Sequence, residues 1–298
     1  MNNDLFIGVD GGGTKTEIWL SDSQGKVISQ GLFNSSNLRN VGLDNSVLVV
    51  VEGIKKCLGK RKQVKSVFIA LAGIEEEFKS QKKEIEKRIV KCFPFLKNKV
   101  VVGSDQEAAF FSATDEKEGI VVISGTGSVV RGWKKGKDVK SSGWGWLADE
   151  GSACWVGQQV YQLWLKQFDG REKKTVLFQE IKRKIKIKTP EDLNRFVYLS
   201  PVNLAYLSLI ADSAAQKKDK KAQEILIKAG QELSLATLVV IKKLDFKKKV
   251  PLVLIGGMFN SLIFKKSFKK EIDNQKVVIL TPLQPPVYGA LKLSFKKK

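Results

Sequence analysis

Apolar and polar positions fall into short runs broken by turn residues. Residues 5–10 form an apolar run ending in Asp10. Three glycines follow, then "TEIWLSD" resumes a strand-like alternation before the turn residues "SQGK" and a third run, "VISQGLF". This predicts a three-stranded meander. Residues 119–143, "GIVVISGTGSVVRGWKKGKDVKSSG", repeat the device: apolar run, Gly-Thr-Gly turn, second strand, "KKGK" turn, third segment. Between the two, apolar residues of 46–60 recur at helical spacing, and 64–74 reads as a buried strand ending in Ala-Gly. A Glu/Lys-rich helix follows. The short strand "KVVVGSD" (99–105) then runs into "QEAAFFSA", which opens as a helix does after an acidic cap. Strand and helix thus alternate as in an α/β domain with both sheet faces covered. After residue 150 the pattern is mostly helical. It returns to strands at 250–257 and 276–281, before a Pro-containing link and a last short helix. A domain division is expected near "TDEKEG", 114–119.

Composition narrows the chemistry. With no histidine, acid-base work near neutral pH falls to carboxylates. Cys57, Cys92 and Cys154 are far apart and form no Cys-x-x-Cys pair, so neither a disulfide framework nor a thiolate cluster is suggested. The start of the chain is polar and unlike a secretory leader, and no apolar run approaches the ~18 residues that cross a bilayer, so a soluble, cytoplasmic protein without a membrane partner is expected. The balance of 52 Lys+Arg against 31 Asp+Glu, net +21, raises nucleic acid as a partner. Lysine is spread over the whole chain and lacks the interleaved aromatics of a stacking platform, so a lysine-coated surface is the favoured reading and no nucleic acid is expected.

The glycine turns carry the sharper signal. In "DGGGT", Gly11, Gly12 and Gly13 permit close backbone approach, so successive amides can point at one anion, with hydroxyls from Thr14 and Thr16 in reach. The turn leads into another strand, unlike a P-loop or a dinucleotide fingerprint, which lead into a helix. An anion would therefore sit on a hairpin tip, and an ordinary tight hairpin is the alternative. The second tip, Gly125-Thr126-Gly127, favours phosphate, because two such tips can serve one nucleotide.

Six segments resemble, in order, the sugar kinase, hsp70 and actin superfamily, and within it the N-acetylglucosamine kinases and the BadF/BadG/BcrA/BcrD ATPase family. They are "GVDGGGTKT" (8–16), "SSNLRNVG" (35–42), "GSDQEAAFFSA" (103–113), "VVISGTGSVVRGW" (121–133), "GWGWLADEGSACWVG" (143–157) and "VLIGGMFNS" (253–261). The resemblance implies an α/β protein of two ribonuclease H-like domains, the actin-like ATPase fold, around a nucleotide and substrate cleft. A substrate-side domain is expected over 1–116, with the C-terminal helix at about 286–298 packing back on it, and an ATP-binding domain over 117–285.

The resemblance also assigns roles. Asp105 would take the proton from a sugar hydroxyl, a helix N-cap being the alternative from position alone. Asp10 would orient a water on Mg²⁺, or merely start the turn. Thr126 would meet the phosphates. Asn37, Gly143, Trp144, Gly145 and Asp149 would form the sugar site with Asp105, and Trp146 stands where relatives vary. Gly256, Gly257 and Ser261 would lie along adenine. Ala214 would flank it, with helix packing as the equal alternative. ATP and Mg²⁺ are the implied cofactors, an amino sugar the substrate and a homodimer the assembly. Residues 75–85 lack the usual Gly-Asp after Ala-Gly, which touches the part of the sugar pocket formed there. The leading expectation is an ATP-dependent kinase acting on the 6-hydroxyl of N-acetylglucosamine, N-acetylmuramate or glucosamine. The runner-up is an ATP-hydrolysing regulator without a sugar substrate.

Overall fold

The computed structural model describes residues 4–74, 79–273 and 275–296. Among the described residues ten strands and ten α-helices divide between two units. One runs up to Glu116 and resumes at Thr281, and the other spans Lys117–Leu280.

In the first unit the meander is β1 (Leu5–Gly11), β2 (Thr16–Ser21) and β3 (Val27–Phe33), followed by α1 (Leu38–Leu58), β4 (Val64–Leu71), α2 (Lys79–Cys92), β5 (Val100–Ser104) and α3 (Asp105–Phe111). The five strands form one sheet in the order β3-β2-β1-β4-β5, with β4 parallel to both β1 and β5. Strand β4 is buried on both faces except at Lys65, which its run of Val, Phe, Ile and Leu permits. Edge strand β3 alternates between half-buried and exposed. Helix α1 starts at Leu38, well before the apolar run that announced it. Its first turns contain Gly42 at φ 75°, a break in helical geometry that hides the early start from periodicity.

The second unit repeats the plan with β6 (Gly119–Ser124), β7 (Ser128–Lys134), β8 (Lys137–Ser142), β9 (Val250–Ile255) and β10 (Val277–Leu280), in the order β10-β9-β6-β7-β8. Both units are α/β and ribonuclease H-like, as the sequence led one to expect. Inserted before β9 are α4 (Ala153–Phe168), α5 (Val176–Ile185), α6 (Pro190–Tyr198), α7 (Pro201–Gln216) and α8 (Lys220–Leu244), and α9 (Leu262–Ile272) follows it. Buried positions of α8 recur every three or four residues, from Ala222 through Leu226, Ala229 and Leu233 to Val240 and Leu244, the stripe of a helix lying on a core. At the centre of this core Trp164 stacks on Phe178 with ring centroids 5.0 Å apart. Among the described residues no helix is long and apolar enough to cross a membrane.

The last helix, α10 (Pro286–Phe295), belongs to the first unit and packs on β1, β4 and α3. Its seat is tight: a Cβ on Gly289 would overlap the Ala108 carbonyl oxygen and stand 2.6 Å from the Ser112 amide. Gly289→Ala is therefore expected to cost about 1–3 kcal/mol of stability. A thermal melt should show a lowered Tm; an unchanged Tm would mean that α10 can slide off this seat freely.

Candidate functional site

In the first unit, chemistry collects where parallel strands end, the usual position of ligand sites in open α/β sheets. Asp10 pairs with Ala70 of β4, and Ala70 pairs with Gly103 of β5, so Asp105 just beyond β5 lies at the same edge of the sheet as Asp10. The two carboxylates sense each other. Burial, then the charges of Asp105 and Glu17, raise the Asp10 carboxyl to about 7, against a smaller opposing pull from Lys15. Glu17 is directly across the hairpin from Asp10 and was not singled out from sequence. Pairing across a four-residue turn was the signal that could have found it.

Asp105 is not the cap of α3. That task falls to Ser104, whose hydroxyl accepts from the Glu107 amide at 3.2 Å while the Glu107 carboxylate accepts from the Ser104 amide at 2.8 Å. Asp105 is instead the first helical residue, and its Oδ1 accepts from Gln106 Nε2 at 3.1 Å. The alternative of Asp105 as a helix cap is thereby corrected.

The Gly11–Thr14 tip closes through the Gly12 amide, which donates to the Lys15 carbonyl at 2.9 Å. Among the described residues the amides of Gly13, Thr14 and Lys15 find no acceptor, so three successive donors remain for an anion. Thr14 is exposed. Thr16 does not join it: its hydroxyl is fully buried and donates to the Asn34 carbonyl at 2.7 Å, with Ser36 Oγ also at 2.7 Å. The expectation for Thr16 is therefore corrected. Asn37 caps α1, its Oδ1 accepting from the Arg39 amide at 2.9 Å, and its Nδ2 lies beside Gly13. Of the segment 75–85 that lacks the Gly-Asp, residues 75–78 lie outside the described residues and the rest opens α2.

In the second unit the Gly125–Gly127 tip, the Trp144 loop and Gly256 come together. A Cβ on Gly256 would overlap the Ser124 carbonyl, so only glycine lets the end of β9 lie against the tip. The Gly125 amide closes the tip on the Gly127 carbonyl at 2.9 Å, and among the described residues the Thr126 and Gly127 amides have no acceptor. Asp149 is buried and accepts from the amides of Trp144 (2.7 Å), Gly145 (3.1 Å) and Ser128 (3.2 Å). Burial raises its carboxyl more than these amides and that of Gly143 lower it. Trp144 is 72% exposed, and Lys140 Nζ lies over its ring 5.0 Å from the centroid, so the ring presents aromatic surface beside a cation. Trp146 is also exposed. Gly257 is exposed in open space, whereas Ser261 is buried as the cap of α9, its hydroxyl accepting from the Phe264 amide at 3.4 Å. Ala214 has no exposed surface and packs in the core of the second unit.

The Asp10 shift has a thermodynamic consequence. A carboxyl at about 7 when folded and near 3.8 when unfolded binds more protons in the native state. The stability this confers is full below pH 3.8 and is lost as pH rises through about 7. In metal-free buffer the Tm of Asp10→Asn should therefore gain on that of the unmodified chain between pH 4 and pH 7, as read by paired melts. A constant gap would show that Asp10 titrates normally.

A family model described as the BadF/BadG/BcrA/BcrD ATPase family matches residues 7–292. An N-acetylmuramic acid/N-acetylglucosamine kinase of Clostridium acetobutylicum is 33% identical over 298 residues, covering 96% of each chain. An N-acetyl-D-glucosamine kinase of Dictyostelium discoideum is 31% identical, each chain covered in full. Among solved structures, a candidate N-acetylglucosamine kinase from Chromobacterium violaceum has the same fold, with a TM-score of 0.78 at 24% identity, covering 97% of this chain and 98% of that one. The full extent of these matches leaves one conclusion: the chain belongs to the BadF/BadG/BcrA/BcrD ATPase family.

Proposed function

We propose that the protein is an ATP-dependent amino-sugar kinase that phosphorylates the 6-hydroxyl of N-acetylglucosamine or N-acetylmuramate. The observation that carries this reading is Asp105 standing outside the cap of its own helix, at a strand end, in a chain with no histidine to act as base. Asp105 is the general base for the sugar hydroxyl. The acceptor-free amides of 13–15 and of Thr126–Gly127 suit phosphate oxygens. Trp144 offers a flat face to a sugar ring, and the names of the full-length relatives support an amino sugar over a plain hexose.

Mg²⁺ fits the acidic edge of the first unit. Mg²⁺ keeps most of its waters and takes one or two carboxylates, which Asp10 with Asp105 nearby could supply. Asp10 is its holder, and a cation beside it relieves the repulsion from Asp105 and Glu17. Bound there, Mg²⁺ would neutralise charge on the transferred phosphoryl group.

Self-association belongs to the same reading. Helix α7 carries no Lys or Arg in a chain of net charge +21, and it exposes Val202, Tyr206 and Leu209 beside Tyr198 and Leu199. Apolar and tyrosine-bearing, this face suits burial against a second copy. Val202→Lys should shift a dimer to a monomer in light scattering with the circular dichroism of the folded chain kept and a Tm no longer dependent on concentration; a Val202→Lys dimer would move the contact elsewhere.

The kinase reading is tested by ADP release with Mg-ATP and a panel of amino sugars and hexoses. A rise with one amino sugar is expected, and Asp105→Asn should lose about 10²–10⁴-fold in kcat with ATP affinity kept. Sugar-independent ADP release, or an active Asp105→Asn, would replace this reading with that of an ATP-hydrolysing regulator.

A further inference from the structure

The Gly125–Gly127 tip is held from beneath by the segment that follows the Trp144 loop. Ser124 Oγ donates to the Gly151 carbonyl (2.8 Å) and Ser128 Oγ to the Glu150 carbonyl (2.7 Å), while the Ala153 and Cys154 amides donate to the Gly125 and Thr126 carbonyls (2.8 and 3.3 Å). At the head of this segment stands Asp149, 4% exposed, with its two oxygens pointing in different directions. Oδ1 takes the amides of Trp144 and Gly145, which fills both of its lone pairs, and Oδ2 takes the amide of Ser128 at the foot of the tip. A Cβ on Gly127 would stand 2.7 Å from Oδ2, so only glycine lets the carboxylate come this close under the turn.

We propose that Asp149 is a positioning residue that ties the Trp144 loop to the Gly125–Gly127 tip, so that phosphate bound at the tip orders the loop that receives the sugar. This deepens the kinase reading and rests on it. Backbone amides take most of the carboxylate's acceptor sites, and Oδ2 keeps one beyond the Ser128 amide, so a brace and a sugar contact are compatible at this residue. The tip is fixed from beneath but its outer amides of Thr126 and Gly127 have no acceptor among the described residues, and in the loop Trp144 is largely exposed. Strand pairing and the Ser142 hydroxyl tie the start of the loop to Ser128 (3.3 Å), and the Asp149 carboxylate carries the connection on to Trp144 and Gly145. Coupling of this kind is reciprocal, so the sugar must tighten the nucleotide by the same factor.

The test is amide hydrogen exchange of the whole protein with adenylyl imidodiphosphate and Mg²⁺. Slower exchange is expected at 125–128 and, with no sugar present, also at Trp144 and Gly145. In Asp149→Asn the side chain turns a donor toward Ser128 or toward Trp144 and Gly145. Exchange at the amides it no longer accepts from should then rise about tenfold or more, and nucleotide protection should stop at the tip. Protection of 125–128 in the unmodified protein without any change at 144–145 would overturn the coupling, whether or not Asp149→Asn folds. So would an Asp149→Asn protein that keeps loop protection and loses only sugar affinity, since Asp149 would then be a plain sugar ligand. No protection at 125–128 would instead remove the nucleotide-site reading on which the coupling stands.

Discussion

The parallel pairing of each meander's first strand with a strand that arrives later in the chain is the constraint on which the sites depend. A parallel partner must come back through a long crossover, so strand ends that are distant in sequence align at one edge of the sheet. In the first unit that register sets Asp10 beside Ala70 and Ala70 beside Gly103. In the second it sets Ile123 beside Ile255, which carries Gly256 against the tip. At these ends the backbone has left the ladder, and its polar groups need partners from turns, caps or ligands. The acidic residues and the amides without acceptors occur at these ends, and the apolar residues occur one step back in the strands.

Electrostatics at the first edge works against stability. Asp10 is half-buried with Asp105 and Glu17 nearby, and Lys15, itself paired with Glu17 at 3.2 Å, opposes them less strongly. Packing would be served as well by a neutral residue at position 10. The Mg²⁺ proposed at this edge would offset that repulsion when bound.

Much of this was legible in the sequence because strands announce themselves by apolar runs and turn residues. Both meanders, their glycine tips and the return to strands near 250 and 276 could be read in this way. Side-chain employment was harder. Ser104 and Glu107 have the Ser-x-x-Glu spacing of a capping box, yet the acid next to the serine drew attention as a possible cap. Thr16 lies only two residues beyond Thr14, and strand alternation could have warned that it points inward. Ala214 could not be assigned from spacing, since a small residue on a helix serves a ligand or a neighbouring helix equally well until the neighbour is known. Glu17 was hidden because its significance lies in a cross-strand partner rather than in its own motif.

The two tips look alike as strings of glycine and threonine, yet they are supported by different physics. The first rests on side chains: Ser35 Oγ donates to the Gly12 carbonyl at 3.0 Å, and Asn37 stands beside Gly13. The second rests on the start of α4, whose Ala153 and Cys154 amides are taken by the carbonyls of Gly125 and Thr126. A helix N-terminus usually offers such amides directly to an anion. Here they are already spent, so the helix favours negative charge through the turn it holds, polarising the tip's peptide groups toward their outward amides. A phosphate at the second tip would thus meet the field of α4 at one remove, with Asp149 buried beneath opposing it in part. The backbone amides around the carboxylate offset its charge in part, which would lessen that opposition if the proposed phosphate binds.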